Sequence, residues 1–198
     1  MVATFCDIVK LGECLERVRF ILALAFVMFA FETAVAQSDN KDRLDFLFER
    51  LSDPDLENWE EVEMEVWRLW SNSGSRSMDL LLELGTRAMA NGDLRTAVER
   101  FTVLVENAPG FPEGWNKRAT AYFLMQRYSL SLADIEKTLT LEPRHFGAMS
   151  GLGMILERFD RNEEALGVYE HLVTIHPHRQ DAHDAIRRLR TRVLGTEI

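Results

Sequence analysis

MDLLLELGTRAMANGDLRTAVERFTVLVENAPGF (78–111), PEGWNKRATAYFLMQRYSLSLADIEKTLTLEPRH (112–145) and FGAMSGLGMILERFDRNEEALGVYEHLVTIHPHR (146–179) are three consecutive rows of one pattern. Aligned, they place Pro109, Pro143 and Pro177 in one column at a spacing of 34 residues. Gly85, Ala119 and Gly153 form a column of small residues, and Ala97, Ser131 and Ala165 form a second. Phe101, Ile135 and Tyr169 form a bulky apolar column. A fixed period of this length marks stacked helical hairpins, in which one unit cannot bury its apolar face and about three together can. Each row reads as two helices joined by a short turn, at Asn91-Gly92-Asp93, Met125-Gln126-Arg127 and Phe159-Asp160-Arg161. The small columns fall where the two helices cross, and a larger side chain there would force the axes apart. Leu81, Trp115 and Met149 face the preceding unit. Each proline ends a second helix, because proline cannot continue one.

Working outward, QDAHDAIRRLRTRVL (180–194) has Ile186, Leu189 and Val193 on one face and Arg187, Arg188, Arg190 and Arg192 free for solvent. It is expected to cap the array at its C-terminal end. Upstream, Leu44, Leu47, Phe48 and Leu51 recur at helical spacing. Asp53-Pro54-Asp55 breaks that helix, and a second is expected from Leu56 to Trp70. Its apolar face holds Trp59, Val62, Val66, Trp67 and Trp70; Glu57, Glu60, Glu61, Glu63 and Glu65 make the opposite face acidic. Ser71 to Ser75 is a run of turn formers. Residues 44–77 occupy one further period, with Glu63 in place of the small residue, and are expected to form a degenerate N-terminal hairpin capping the array.

The net charge of −9 argues against a nucleic-acid backbone or an anionic membrane surface as partner, since both reward positive charge. Arg17 and Arg19 precede the apolar run Phe20–Phe31, and Ala34-Val35-Ala36 follows it. This is the pattern of a secretory signal peptide (1–36) cleaved after Ala36, with residues 1–17 as an over-extended start. The expected location is periplasmic or secreted; without cleavage the chain would be anchored in the inner membrane. Cys6 and Cys14 both lie in the leader, so a mature chain needs no disulfide and has no thiol nucleophile.

The rows resemble the tetratricopeptide repeat, over residues 78–179. The second row matches best, with Trp115, Ala119, Tyr122, Tyr128 and Pro143 at the family's marker positions. It departs at Arg118, where leucine is usual, and at Ser131; Asp160 departs in the third. The resemblance implies an all-α fold: a right-handed α-solenoid of three hairpins between the degenerate N-terminal hairpin and the C-terminal capping helix. It also implies a concave face lined by the first helix of each unit, binding a protein or peptide segment without catalysis or cofactor. By the same spacing that face holds Asp79, Leu82, Thr86 and Met89 from the first unit and Asn116, Thr120 and Phe123 from the second. The third supplies Ser150, Met154 and Glu157, and the cap Asp184. Leu82 and Thr86 stand where the chaperone-binding members need a basic residue and an amide, so that activity is not expected.

Competing readings attach to two further groups. Trp59, Trp67 and Trp70 could form a self-association patch, giving a homo-oligomeric assembly subunit. His171, His176, His178 and His183 cluster late, but no two share a helix at ligand spacing, and no metal site is expected. The sequence carries no nucleophile elbow and no phosphate-cradling glycine loop.

Overall fold

A computed structural model of the chain describes residues 40–195. The leader, both cysteines and the cleavage site expected after Ala36 lie outside the described residues. The chain divides into two compact units, residues 1–45 and 46–198; of the first, the described residues 40–45 are helical. Among the described residues all regular structure is helical, in nine helices. They are α1 (40–51), α2 (Trp59–Trp70), α3 (Arg76–Ala90), α4 (Leu94–Asn107) and α5 (Pro112–Leu124), followed by α6 (Tyr128–Leu141), α7 (Phe146–Arg158), α8 (Asn162–Ile175) and α9 (Gln180–Leu194). None of them is long and apolar enough to cross a membrane.

The period is visible in the hydrogen bonds. Ala108, Glu142 and His176 close the second helices by donating their amides to Leu104, Thr138 and Leu172 at 2.8, 2.8 and 2.9 Å. The prolines follow one residue later, where nothing further has to donate. The turns inside the units repeat too: Gly92, Gln126 and Asp160 all adopt positive φ, at 80°, 59° and 56°. Only the first is glycine, so the other two side chains occupy a left-handed conformation that disfavours them.

The crossing points are as tight as the small columns require. A Cβ on Gly153 would lie 2.5 Å from the Tyr169 ring, and one on Gly85 the same distance from the Phe101 ring. Ser131 keeps its hydroxyl satisfied there by donating to the Ala119 carbonyl at 2.8 Å. Phe101, Leu104, Ile155, Leu172 and Leu189 are almost wholly buried along the stack; each such side chain is worth about 1.5–3 kcal/mol. Arg118 is explained by its partner: its guanidinium forks onto Asp134 at 2.7 and 2.8 Å and reaches Thr102 of the preceding unit at 3.2 Å. It therefore replaces the usual apolar contact with a buried ion pair inside the second unit and a hydrogen bond to the first.

First helices of neighbouring units touch each other, α3 with α5 and α5 with α7, which places them on the inner side of the stack. Helix α9 packs on α8 and closes the C-terminal end. The N-terminal end differs from the sequence expectation. Residues of α1 and α2 pack on the second and third units and the start of α9: Trp67 meets Phe146, and Glu63 meets His176, 113 positions along the chain. Leu80 and Leu84, on the face that a stacked hairpin would cover, are 52% and 36% exposed. The hairpin carries Glu63 where the repeats carry a small residue, and that carboxylate pairs with His176 and Arg179.

Candidate functional site

Helix α2 presents Trp59, Glu63, Trp67 and Trp70 at steps of four, four and three residues, all on one face. That face lies across the N-terminal ends of α5, α7 and α9. Trp70 stacks on His145, rings 4.1 Å apart and 7° from parallel. Trp67 stands edge-on to Phe146 at 5.1 Å, with Lys117 Nζ 5.6 Å from its centre. Gly147 admits this ring, because a Cβ there would come within 2.8 Å of it. Glu63 takes a hydrogen bond from Trp67 Nε1 at 3.1 Å, pairs with His176 Nε2 at 3.2 Å, and has Arg179 3.6 Å away. Trp59 stacks on His178 at 5.3 Å, and His178 bonds the Asp53 carbonyl at 2.9 Å. From α1, Phe48 lies 4.4 Å beneath the Arg144 guanidinium.

Electrostatics fixes the protons in this wall. His145 Nδ1 accepts the Ala148 amide and so caps α7; its proton therefore sits on Nε2, which donates to Glu113 at 3.1 Å. Burial by itself would raise the Glu113 carboxyl. The His145 hydrogen bond, the Lys117 ammonium at 3.1 Å and the Asn116 amide at 2.9 Å outweigh it and hold the group below the usual glutamate range. Glu63 is also held low, chiefly by the His176 hydrogen bond, against a smaller opposing effect of burial.

The expected concave residues fall into two rows. Leu82, Asn116 and Ser150 are buried, at 6%, 6% and 9% exposure. Leu82 packs with Phe101 and Phe111, and Asn116 is committed to Glu113. Leu82 and Asn116 are taken up by this packing and hydrogen bonding, and the Ser150 hydroxyl is buried without a hydrogen-bond partner. One helical turn further on, Thr120 and Met154 are exposed and Thr86 is half-buried. Met89, Phe123 and Glu157 complete the next step, half-buried. Arg188 of α9 clamps Glu157 at 2.8 and 2.9 Å. Beyond them, Phe123, Tyr128 and Phe159 form a chain of rings, each 5.6 Å from the next. Asp79 lies apart, holding Ser73, and Asp184 holds Gln180.

The wall residues under α2, from Lys117 to Arg179, were not among those expected. Their only sequence signal is the placing of His145, His176 and His178 beside the turn prolines. Among the described residues no three His, Cys, Asp or Glu side chains converge as metal ligands. A second concavity of about 580 Å³ opens on the outer side between α6 and α8, lined by Leu132, Leu139, Leu152 and Val168 with His171 at its rim.

Comparison with known proteins agrees with this architecture. A tetratricopeptide repeat family model matches residues 82–133 and again 117–182. A TPR repeat-containing protein of Rhizobium etli is 33% identical over 163 residues, 81% of this chain and 79% of that one. The small glutamine-rich tetratricopeptide repeat-containing protein 2 of Saccharomyces cerevisiae is 27% identical over 59% of this chain, but over only 33% of its own length. In fold, the chain is similar to the first TPR of Spaghetti bound to an HSP90 peptide, with a TM-score of 0.58 and 23% identity over 62% of this chain and 98% of that one. The chain belongs to the tetratricopeptide repeat family.

Proposed function

We propose that this protein is a non-catalytic adaptor that binds a peptide or protein segment along the open row of its inner wall. The observation that carries this reading is the run of apolar rings there. The rings of Phe123, Tyr128 and Phe159 follow one another at 5.6 Å, and Phe159 is 56% exposed; Leu124 and Met154, on the first helices of the same two units, are 51% and 45% exposed. Single exposed apolar residues are ordinary, whereas a run of contacting rings with an open end suits apolar side chains of a partner. The Glu157–Arg188 pair at its edge offers a carboxylate and a guanidinium for the partner's backbone or charges. Peptide binding by the related Spaghetti domain supports the class of ligand. It does not extend to the same specificity, since Leu82 is packed in the core and Thr86 offers no positive charge.

The test is a photo-cross-linking residue placed at Met154 in the full chain, with one at exposed Gly167 of α8 as control. Partner adducts are expected at Met154 only, and are expected to disappear with Phe123→Ala while the helical spectrum stays unchanged. Equal labelling from both positions would overturn the assignment. We place the protein in the cell envelope on the leader pattern; N-terminal sequencing of the native protein that starts upstream of Gln37 would argue for an anchored form instead.

A further inference from the structure

The wall beneath α2 has the properties of a ligand site, and α2 has those of a ligand. The chain as a whole carries a charge of −9. Yet this stretch presents Lys117, Arg179 and the imidazoles of His145, His176 and His178 to α2, whose Glu63 meets His176 and Arg179. Tryptophan rings stack flat on two of those imidazoles, and a third ring fills the space left by Gly147. This is the helix-in-groove mode of recognition, with anchors at successive turns.

The hold of the wall on α2 is incomplete at two buried polar groups. Trp70 Nε1 and His176 Nδ1 are both buried in this contact without a hydrogen-bond partner, and each such group costs free energy when water is excluded. Like α3, α5, α6, α8 and α9, α2 has no side-chain cap at its N-terminus. Its connection to α3 is Ser71-Asn72-Ser73-Gly74-Ser75, where Gly74 has φ of 79° and open space around it. Ser73 ties this linker to Asp79 of α3 through its amide and hydroxyl, at 2.8 and 2.6 Å.

We infer that the inner wall from Lys117 to Arg179 is a docking site for an acidic, tryptophan-bearing amphipathic helix, that α2 is its resident occupant, and that a partner helix of this pattern enters by displacing α2. The inference rests on the reading of the inner wall as a peptide-binding surface, but concerns a different stretch of it. A groove filled from within lowers the apparent affinity of any competitor by the fraction of molecules in which it is open.

The probe is a labelled synthetic peptide of residues 56–71, LENWEEVEMEVWRLWS, followed by fluorescence anisotropy on the full chain. With the resident helix weakened by Trp59→Ala and Trp67→Ala, affinity is expected to rise at least about tenfold over the unmutated protein. Adding Gly147→Leu, which fills the space taken by the peptide's Trp67, is expected to abolish binding. Equal affinity for the unmutated and double-variant proteins, or indifference to Gly147→Leu, would overturn the inference. Should the double variant lose its helical spectrum, hydrogen exchange on the unmutated protein decides instead. Saturating peptide should speed exchange in 59–70 while leaving α5, α7 and α9 protected; no change in 59–70 would overturn it. Peptide binding here without any adduct at Met154 would sink the open-row proposal alone, and the converse result would sink this one alone.

Discussion

Gly147→Ala separates the hairpin from the solenoid it lies on. The added Cβ would sit 2.8 Å from Trp67 Cη2 and 3.4 Å from His145 Cε1, closer to the indole than side chains pack. Held in place, this overlap costs about 1–3 kcal/mol, the usual range for overpacking. The same substitution adds about 0.5 kcal/mol to the helix itself, because alanine loses less backbone freedom than glycine. The penalty therefore falls on docking of α2 and the gain on α7. A shift of about 1–3 kcal/mol raises the undocked population roughly 5- to 150-fold. Hydrogen exchange in residues 59–70 should quicken by that factor, with a red shift in tryptophan emission. The cooperative melt of the repeats should hold or rise slightly. Gly153→Ala is the control: its Cβ meets the Tyr169 ring at 2.5 Å inside one unit, where no segment can swing away. It should lower the melt of the whole array, at about 2–4 °C per kcal/mol for a chain of this size. If Gly147→Ala lowers the melt as Gly153→Ala does and leaves exchange in 59–70 unchanged, the hairpin is an integral layer of the core and the reasoning fails.

Asp134→Ala leaves the Arg118 guanidinium buried without its counter-ion and should cost about 3–5 kcal/mol in urea unfolding. Arg118→Leu combined with it should recover most of that loss, and a double-mutant cycle near zero would contradict the pairing. Docking of α2 should weaken in acid. The Glu63 carboxyl, facing His176 and Arg179 and bonded by Trp67 of its own helix, is held below the ordinary value of 4.5 when docked. It binds its proton more tightly once released, so docking is at full strength above 4.5 and is lost as pH falls through the docked value. Tryptophan emission followed from about pH 6 to about pH 3 should show this transition, and Glu63→Gln should remove it, even though Glu113 titrates in the same direction. Gln126→Gly should stabilise the array by up to about 1 kcal/mol by relieving a positive φ. Asp160→Gly should gain less, since aspartate tolerates that region better, and equal gains in chemical denaturation would argue against backbone strain as the cause.

The repeats were legible because their determinants are local and recur. Each small residue of the first column meets the bulky residue of its own unit, Gly85 with Phe101, Ala119 with Ile135 and Gly153 with Tyr169, so the pairing lies within one row of the alignment. Arg118 departs from the repeat pattern because it is paired sixteen residues on, with Asp134. The destination of α2 is another kind of information. Its amphipathic pattern specified an apolar face with an acidic back, but Trp59, Trp67 and Trp70 would satisfy any apolar surface, and the period pointed to the nearest one, α3. One residue in the middle of the apolar stripe, Glu63, carries a carboxylate. It is satisfied where His176 and Arg179 converge, and those two groups meet only after the third unit has folded. The same fact explains why the groove was only half readable. Spacing places Asn116 and Thr120 one helical turn apart on the inner wall. It says nothing of Glu113 beneath the first, or of the helix that lies beside it across the ends of α5 and α7. A repeat period therefore reports how units stack on each other. Whether the wall they make is empty is decided by the one segment outside the period, and here that segment carries its own tryptophans and its own charge.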